Sequence, residues 1–324
     1  MKFRELGSTG INVSEISLGC WTLGGLNWVN GRANGWADVD EIEAAKGVEA
    51  GLEAGVNHFD NADVYGNGKA ERMLARILGK RSKELVIATK IGHFPGTAQN
   101  AYEPAHIRHQ CEQSLINLNR DYVDIYYFHH GDFGPEDRYL DGAIAAALKL
   151  KQEGKIRALG LSAYSAEDFC RVVPKMKPSV LQSWASAMDI QFIVPGSPVR
   201  QLMDAHKLSF VAFSPLNQGL LMDKYSAAKP PQFEEGDHRR GDHLFTAESI
   251  AKVSAKMAKI KARFGAAPED LARVALQYLL SFECVGCVIP GFRNKAQVAV
   301  NLAGSEKPLS AEDAAFVTSV FASA

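Results

Sequence analysis

Eight short β-rich runs punctuate this chain, at residues 14–19, 56–60, 85–91, 123–129, 156–162, 180–186, 209–214 and 287–289. Between and after them lie amphipathic or alanine-rich stretches of helical character, at residues 38–54, 69–78, 103–118, 141–152, 166–173, 198–206, 247–263 and 295–302. Parallel strands need a long crossover connection, usually a helix, so eight strand–helix repeats predict a closed parallel (β/α)8 TIM barrel. A doubly wound sheet is disfavoured because no G-x-G-x-x-G fingerprint follows an early strand, and Gly66-Asn67-Gly68-Lys69 misses that spacing. Three pieces exceed the repeat. Residues 3–6 and 11–13, joined by Ser8-Thr9-Gly10, read as an N-terminal β-hairpin that plugs the barrel floor. Residues 218–245, rich in Pro, Gly and charge, form a long loop after strand seven, and loops of that length tend to be functional. Residues 271–282 and 311–321 read as extra C-terminal helices. Barrels of this type often exceed the usual domain length, so residues 1–324 are expected to form one domain.

Composition narrows the function classes. A net charge of −1 gives no electrostatic reason to expect nucleic acid or an anionic membrane as a partner. No apolar run approaches a membrane span, and the opening residues Met1 to Leu6 lack an apolar core segment. Five scattered cysteines, Cys20, Cys111, Cys170, Cys284 and Cys287, do not suggest a disulfide framework, so a reducing, cytoplasmic setting is expected. Cys284-Val285-Gly286-Cys287 has C-x-x-C spacing, but a single such pair leading into an apolar strand reads as two buried thiols, and no metal site is expected. His106 and His109, one helical turn apart, read as part of a solvated face.

Four polar residues, Asp60, Tyr65, Lys90 and His129, fall at or just past the ends of three successive predicted strands. In a (β/α)8 barrel those ends converge on one face, where the chemistry takes place. Singly, each has an ordinary explanation: a helix cap for Asp60, an amphipathic wall for Tyr65, a rim or core histidine for His129. Lys90 is harder to explain structurally, because it follows mostly apolar strand residues and would be buried without reason. Together, a carboxylate, a phenol, an ammonium and an imidazole make a proton-delivery site. His130 follows His129 directly, and neighbouring strand residues point to opposite faces, so only one of the two faces the pocket; register with Lys90 favours His129.

The chain resembles the aldo-keto reductase superfamily over nearly its whole length. The motifs that carry the resemblance are Phe59-Asp60-Asn61-Ala62-Asp63-Val64-Tyr65-Gly66, Ala88-Thr89-Lys90, Asp121 to Tyr126 with His129, Lys155 to Ser162, Phe213-Ser214-Pro215-Leu216 with Gly219-Leu220-Leu221, and Val288-Ile289-Pro290-Gly291. All six occur in order, each on or beside a predicted strand. The segment from Phe233 to Arg240 is more similar to the bacterial, plant and channel β-subunit-like branches than to the mammalian aldose reductases.

The resemblance implies reduction of a carbonyl, or oxidation of the matching alcohol, by hydride transfer. A free Tyr holds its proton too tightly for efficient transfer near neutrality. Tyr65 is expected to be the general acid, Lys90 the cation that lowers its pKa, Asp60 the partner of Lys90, and His129 the group that orients the carbonyl. The hydride donor must be a cofactor, NADPH by this resemblance, with NADH also admissible. Barrels commonly hold phosphates on the loops after strands seven and eight. Those loops carry Ser214, Leu216, Gln218 and Lys224, then Gly291, Phe292, Arg293, Gln297 and Asn301. At its family-matched position Arg293 is expected to clamp the 2′-phosphate. The family pattern also implies Ser162 and Gln182 on the nicotinamide carboxamide, Phe213 against the ring, and Asp237 and Arg239 folded over the pyrophosphate. This chain departs from the pattern at Ala163, Val300 and Gln297, which loosens the expected choice of NADP over NAD.

Trp21 and Phe94 are expected to bind substrate along with His129, and Cys20, Trp28, Trp36, Tyr127 and Trp184 are further wall candidates. Aromatic walls of this kind accept sugars, aromatic aldehydes or ring ketones alike. The competing class is a cofactor-binding, redox-sensing regulatory subunit; no N-terminal arm or inactivation peptide is evident, which favours an enzyme. A lysine aldolase is disfavoured because Asp60 would keep Lys90 charged. An isomerase or lyase on the same barrel would need no nicotinamide. The expected partner is a small carbonyl or alcohol substrate, and oligomeric state is not legible.

Overall fold

The computed structural model describes residues 1–29 and 31–322. A floor hairpin opens the chain, with β1 (Phe3–Glu5) and β2 (Asn12–Ser14) antiparallel and Arg4 opposite Val13. The chain enters the barrel at β3 (Leu18–Gly19) and detours through a small antiparallel pair, β4 (Trp28–Val29) and β5 (Arg32–Ala33). It continues through α1 (Glu41–Glu53), β6 (His58–Asp60), α2 (Lys69–Leu78), β7 (Val86–Ile91), α3 (Pro104–Leu118), β8 (Val123–Phe128), α4 (Leu140–Gln152) and β9 (Ile156–Ser162). Then follow α5 (Ala166–Met176), β10 (Val180–Trp184), α6 (Pro198–His206), β11 (Ser209–Phe213), α7 (Ala247–Phe264), α8 (Pro268–Leu280), β12 (Val285–Ile289), α9 (Lys295–Leu302) and α10 (Ala311–Ala322).

The large sheet runs β3-β6-β7-β8-β9-β10-β11-β12 with each neighbouring pair parallel. Parallel bridges at Ile16–Val288 and Gly19–Gly291 join the last strand to the first. Ser17 N donates to Val288 O and Val288 N to Glu15 O, both at 2.9 Å, so the expected (β/α)8 barrel is closed. The expected first strand, 14–19, is split. Ser14 ends the floor hairpin, and the Ser17 hydroxyl donates back to Ser14 O at 2.8 Å, turning the chain before Leu18.

Alternation along each strand sorts side chains into two buried sets. Ile125, Tyr127, Val86, Ala88, Ala158, Val180, Val211 and Cys287 form the barrel interior, whereas Tyr126, Phe128, Ile87, Leu159 and Leu161 face the helices. Burial on both faces is why these strands are nearly continuously apolar. Leu6, Ile11 and Val13 of the floor hairpin join the interior set, so the hairpin plugs the barrel as expected. Burying those three side chains contributes roughly 5–8 kcal/mol before entropy is subtracted. Cys284 packs in the helical layer and Cys287 in the interior, so the two thiols of the C-x-x-C segment face different sides of β12.

The helices start where the sequence provides caps. Asp40 accepts from Ile42 N and Glu43 N at 2.8 and 3.1 Å ahead of α1, and Ser165 and Ser197 cap α5 and α6. Pro268 sits in the first turn of α8, which therefore begins three residues before the expected 271. No described helix is long and apolar enough to cross a membrane. The β4–β5 detour docks on the loop after β11: Gly35 N donates to Gly236 O at 3.1 Å, His238 N to Gly35 O at 3.0 Å, and Ala37 N to Asp237 Oδ2 at 3.0 Å. That clasp carries the long loop across the barrel mouth.

Candidate active site

Asp60 ends β6, Lys90 is the penultimate residue of β7, and His129 directly follows β8. Lys90 shares the inward parity of Val86 and Ala88, and His129 that of Ile125 and Tyr127, which brings both to the mouth of the barrel. His130 takes the opposite parity, with its ring against Tyr102 and its Nε2 2.8 Å from Gly92 O. Lys90 is fully buried and Asp60 nearly so. The ammonium is paired with Asp60 Oδ1 and donates to Asn61 O at 2.7 Å and to Tyr65 Oη at 3.3 Å. The other carboxylate oxygen accepts from Gln182 Nε2 at 2.8 Å. Each charge of the pair is thus compensated inside the protein, as burial demands.

Tyr65 is held by a tight turn. Gly66 has φ +58°, and a Cβ on Gly24 would lie 2.7 Å from Gly66 N, so the Trp21–Gly24 turn packs backbone to backbone against the tyrosine loop. The Trp21 ring consequently stacks on Tyr65 with centroids 5.9 Å apart at 24°, while His129 meets Tyr65 edge-on at 5.9 Å.

Burial, reinforced by Asp60, Cys20 and Asp63, pushes the Tyr65 phenol well above its usual pKa. Lys90, expected to lower it, shares its charge with Asp60, and burial outweighs the lysine in the net, so the phenol holds its proton. Burial, with His93, Lys90 and His130 nearby, pushes His129 well below its usual value. His129 is therefore a neutral imidazole, and its Nδ1 is buried without a partner.

A cavity of about 660 Å³ runs from Asp60, Tyr65 and His129 to Arg293, Gln297 and Asn301. Of the residues expected at the cofactor, Gln182, Phe213, Ser214, Leu216, Gln218, Lys224, Gly291 and Phe292 also line it. Ser162 does not line it but pairs with Gln182 across β9 and β10, its Oγ buried and unpartnered, as is Gln218 Oε1. Asp237 and Arg239 do not line the cavity; Arg239 donates to Asp237 at 2.6 and 2.9 Å and lies 4.6 Å over the Trp36 ring. They brace the clasped loop from inside. Of the substrate candidates, Trp21 and Trp36 line the cavity and Phe94 does not. Phe94 is 38% exposed on the loop after β7, where its carbonyl faces His106 Nε2 at 2.8 Å. Trp28 packs on Gly236 instead, Tyr127 lies below Lys90 in the barrel, and Trp184 stacks on Tyr164. Sequence reasoning missed Tyr164 and Asn34, and placed His93 only at the start of the substrate loop after the third strand. His93 and Tyr164 line the cavity 71 residues apart and hydrogen-bond at 3.1 Å between Nε2 and Oη, which no local pattern could signal.

The far end of the cavity is cationic. Lys224 is pushed down to about 8 by burial and by Arg239 and Arg293. Arg293 is also lowered, by burial first and then by Arg239. Two carboxylates face these three cations: Asp237, engaged by Arg239, and Asp38, 3.8 Å from Arg293. Ser214, Asn217, Gln218 and Gly219 all have left-handed φ, between +44° and +92°, and such turns present backbone N–H groups to anions. An orphaned hydroxyl, an orphaned amide oxygen and a cationic end fit a nicotinamide dinucleotide, which carries a carboxamide and phosphates.

Fold and site together define a (β/α)8 barrel whose mouth gathers a buried Lys–Asp pair, a phenol and an imidazole around one cavity. The chain belongs to the Aldo/keto reductase family, whose model matches residues 15–321. It is an oxidoreductase acting on CH–OH and C=O groups. It is 28% identical over 309 residues to L-galactose dehydrogenase of Arabidopsis thaliana, covering 94% of this chain and 88% of that one. A probable voltage-gated potassium channel subunit beta from the same plant is 26% identical over 321 residues, covering 93% and 90%. The structure of glycerol dehydrogenase AKR11B4 from Gluconobacter oxydans matches with a TM-score of 0.79 and 25% identity, over 99% of this chain and 95% of that one.

Proposed function

We propose that this protein reduces an aldehyde or ketone with NADPH, using Tyr65 as the acid, and runs the same steps backwards on the matching alcohol. The observation that carries the reading is a protonated phenol on the cavity wall with a buried ammonium 3.3 Å from its oxygen. A bound reduced nicotinamide supplies the hydride. The Tyr65 Oη proton passes to the carbonyl oxygen, and Lys90 donates to Oη as negative charge grows there. Asp60 keeps Lys90 charged and aimed, and Gln182 fixes the second oxygen of Asp60. Neutral His129 donates its N–H to the substrate oxygen and so orients the carbonyl.

For the cofactor, Ser162 and Gln182 would hold the carboxamide, Phe213 would cover the ring, and Lys224 and Gly291 would meet the pyrophosphate. Arg293 would meet the 2′-phosphate, which favours NADPH. NADH remains admissible because Ala163, Gln297 and Val300 depart from the family pattern, and Gln297 Oε1 is engaged by Arg293 N at 2.8 Å. Two of the similar proteins are named for L-galactose and glycerol, which supports a small polyhydroxylated substrate. A regulatory subunit would have no need of a buried Asp60–Lys90 pair donating to Tyr65, so the enzyme reading is preferred.

Fluorescence titration with NADPH and NADH, followed by turnover on a panel of carbonyls, tests the proposal. Expected are tighter binding of NADPH and oxidation of NADPH by at least one aldehyde or ketone. Failure to bind either cofactor overturns the proposal.

A further inference from the structure

We propose that Tyr164 and His93 form a hydroxyl-recognition subsite that selects carbonyl substrates bearing a hydroxyl beside the carbonyl. The assignment rests on the reductase reading above and deepens it. Both side chains line the same cavity as Tyr65 and His129. The His93 ring lies 4.5 Å from that of His129 in an edge-to-face arrangement, one ring away from the group that orients the carbonyl. A substituent on the carbon next to the carbonyl is within that reach.

The pair is held in place independently of any ligand. The Tyr164 ring stacks on Trp184 at 6.1 Å and 9°, and meets Phe213 edge-on at 6.5 Å. Its hydroxyl is 3.1 Å from His93 Nε2. Burial pushes His93 down to about 4, so near neutral pH its ring has one N–H and one bare nitrogen. A phenol and a neutral imidazole together offer two donors, and the bond between them uses one. One donor and at least one acceptor lone pair remain, the complement of an alcohol O–H.

Another part of the cavity wall is aromatic. Trp21 and Trp36 meet at 5.5 Å and 88° and present ring surface to the cavity, which suits the C–H faces of a carbon chain. A substrate with a hydroxyl on one side and C–H groups on the other therefore matches both walls. A purely apolar substrate would strip water from Tyr164 and His93 without replacing its hydrogen bonds, and sites built to bind a substrate hydroxyl reject analogues that lack it.

The test compares kcat/KM for glyceraldehyde and propanal, which share a three-carbon chain and differ in hydroxyls, in wild type, Tyr164→Phe and His93→Leu. Tyr164→Phe keeps the ring that stacks on Trp184, so its fold is not at risk. Wild type is expected to prefer glyceraldehyde about 10- to 100-fold, and each variant to lower that ratio about tenfold, mainly through KM. A parallel loss on both aldehydes would mean that the pair only ties two loops together, and would overturn the assignment. An unchanged ratio, or a wild type without the preference, overturns it too while leaving the reductase reading intact. Absence of turnover on every carbonyl tried, with no cofactor bound, overturns the reductase reading itself.

Discussion

Replacing Lys90 by methionine removes a cation with three partners, Asp60, the Asn61 carbonyl and Tyr65 Oη. The lysine and aspartate side chains are 0% and 2% exposed, so the substitution leaves a carboxylate inside the barrel with Gln182 as its remaining side-chain donor. Breaking a buried pair in this way costs about 3–5 kcal/mol. A chain of 324 residues unfolds with an entropy of roughly 0.7 kcal/mol/K, so the expected fall in Tm is about 4–7 °C. Turnover should fall by about 10²–10³, the usual cost of removing a positioned donor from developing charge. Asp60→Asn combined with Lys90→Met takes out both charges, and replacing both partners of a buried pair is often near neutral. The double variant should therefore regain most of the lost Tm and none of the lost activity. Thermal unfolding by circular dichroism without cofactor, alongside turnover with saturating NADPH, reads both quantities. A Lys90→Met protein as stable as wild type would refute the burial argument. A double variant that recovers turnover together with stability would refute a direct role for Lys90 at Tyr65 Oη.

Two further outcomes follow from charges at and behind the site. Burial and the neighbouring Glu71 push the Asp63 carboxyl from 3.8 up to about 8. Its folded value lies above its unfolded one, so the native state binds the extra proton. That stability is fully present below about pH 4 and is lost as pH rises through 8, at up to about 1.4 kcal/mol per pH unit. Thermal scans from pH 5 to pH 9 should show Tm falling more steeply in wild type than in Asp63→Asn; equal slopes would refute the assignment. At the far end of the cavity, Arg293→Ala should weaken NADPH binding about 10- to 100-fold and NADH binding much less, read by fluorescence titration. Equal losses for both cofactors would place the 2′-phosphate elsewhere.

The fold was legible because short apolar runs alternate with amphipathic stretches along the chain: β9 and α2, α6 and α9 fall at the expected residues. The β12 strand begins at Val285, two residues early, because Gly286 reads as a breaker in sequence yet packs against Leu6 of the plug. The β4–β5 pair has no signature strong enough to read. Its strands are two residues long, and the stretch that follows gains its order by docking on Gly236 and His238, some two hundred positions away. Asp60, Tyr65, Lys90 and His129 converge because strand parity and strand ends are sequence properties. The net state of Tyr65 was not legible, since the balance between Lys90 and desolvation depends on how deeply both are buried. Phe94 was misplaced for a related reason: position after β7 is local, while the direction of a loop side chain is not. The direct bond between His93 and Tyr164 joins the loops after β7 and β9, which flank β8 in the barrel.

The central claim is that Tyr65 donates the proton. The most direct test measures NADPH affinity and kcat/KM side by side in wild type and Tyr65→Phe, on the best substrate from the carbonyl panel. Loss of one hydroxyl should lower kcat/KM by about 10²–10⁴ while NADPH affinity stays within about twofold. Turnover within a few-fold of wild type would contradict the account and move the acid to another group, with His129 the first to examine.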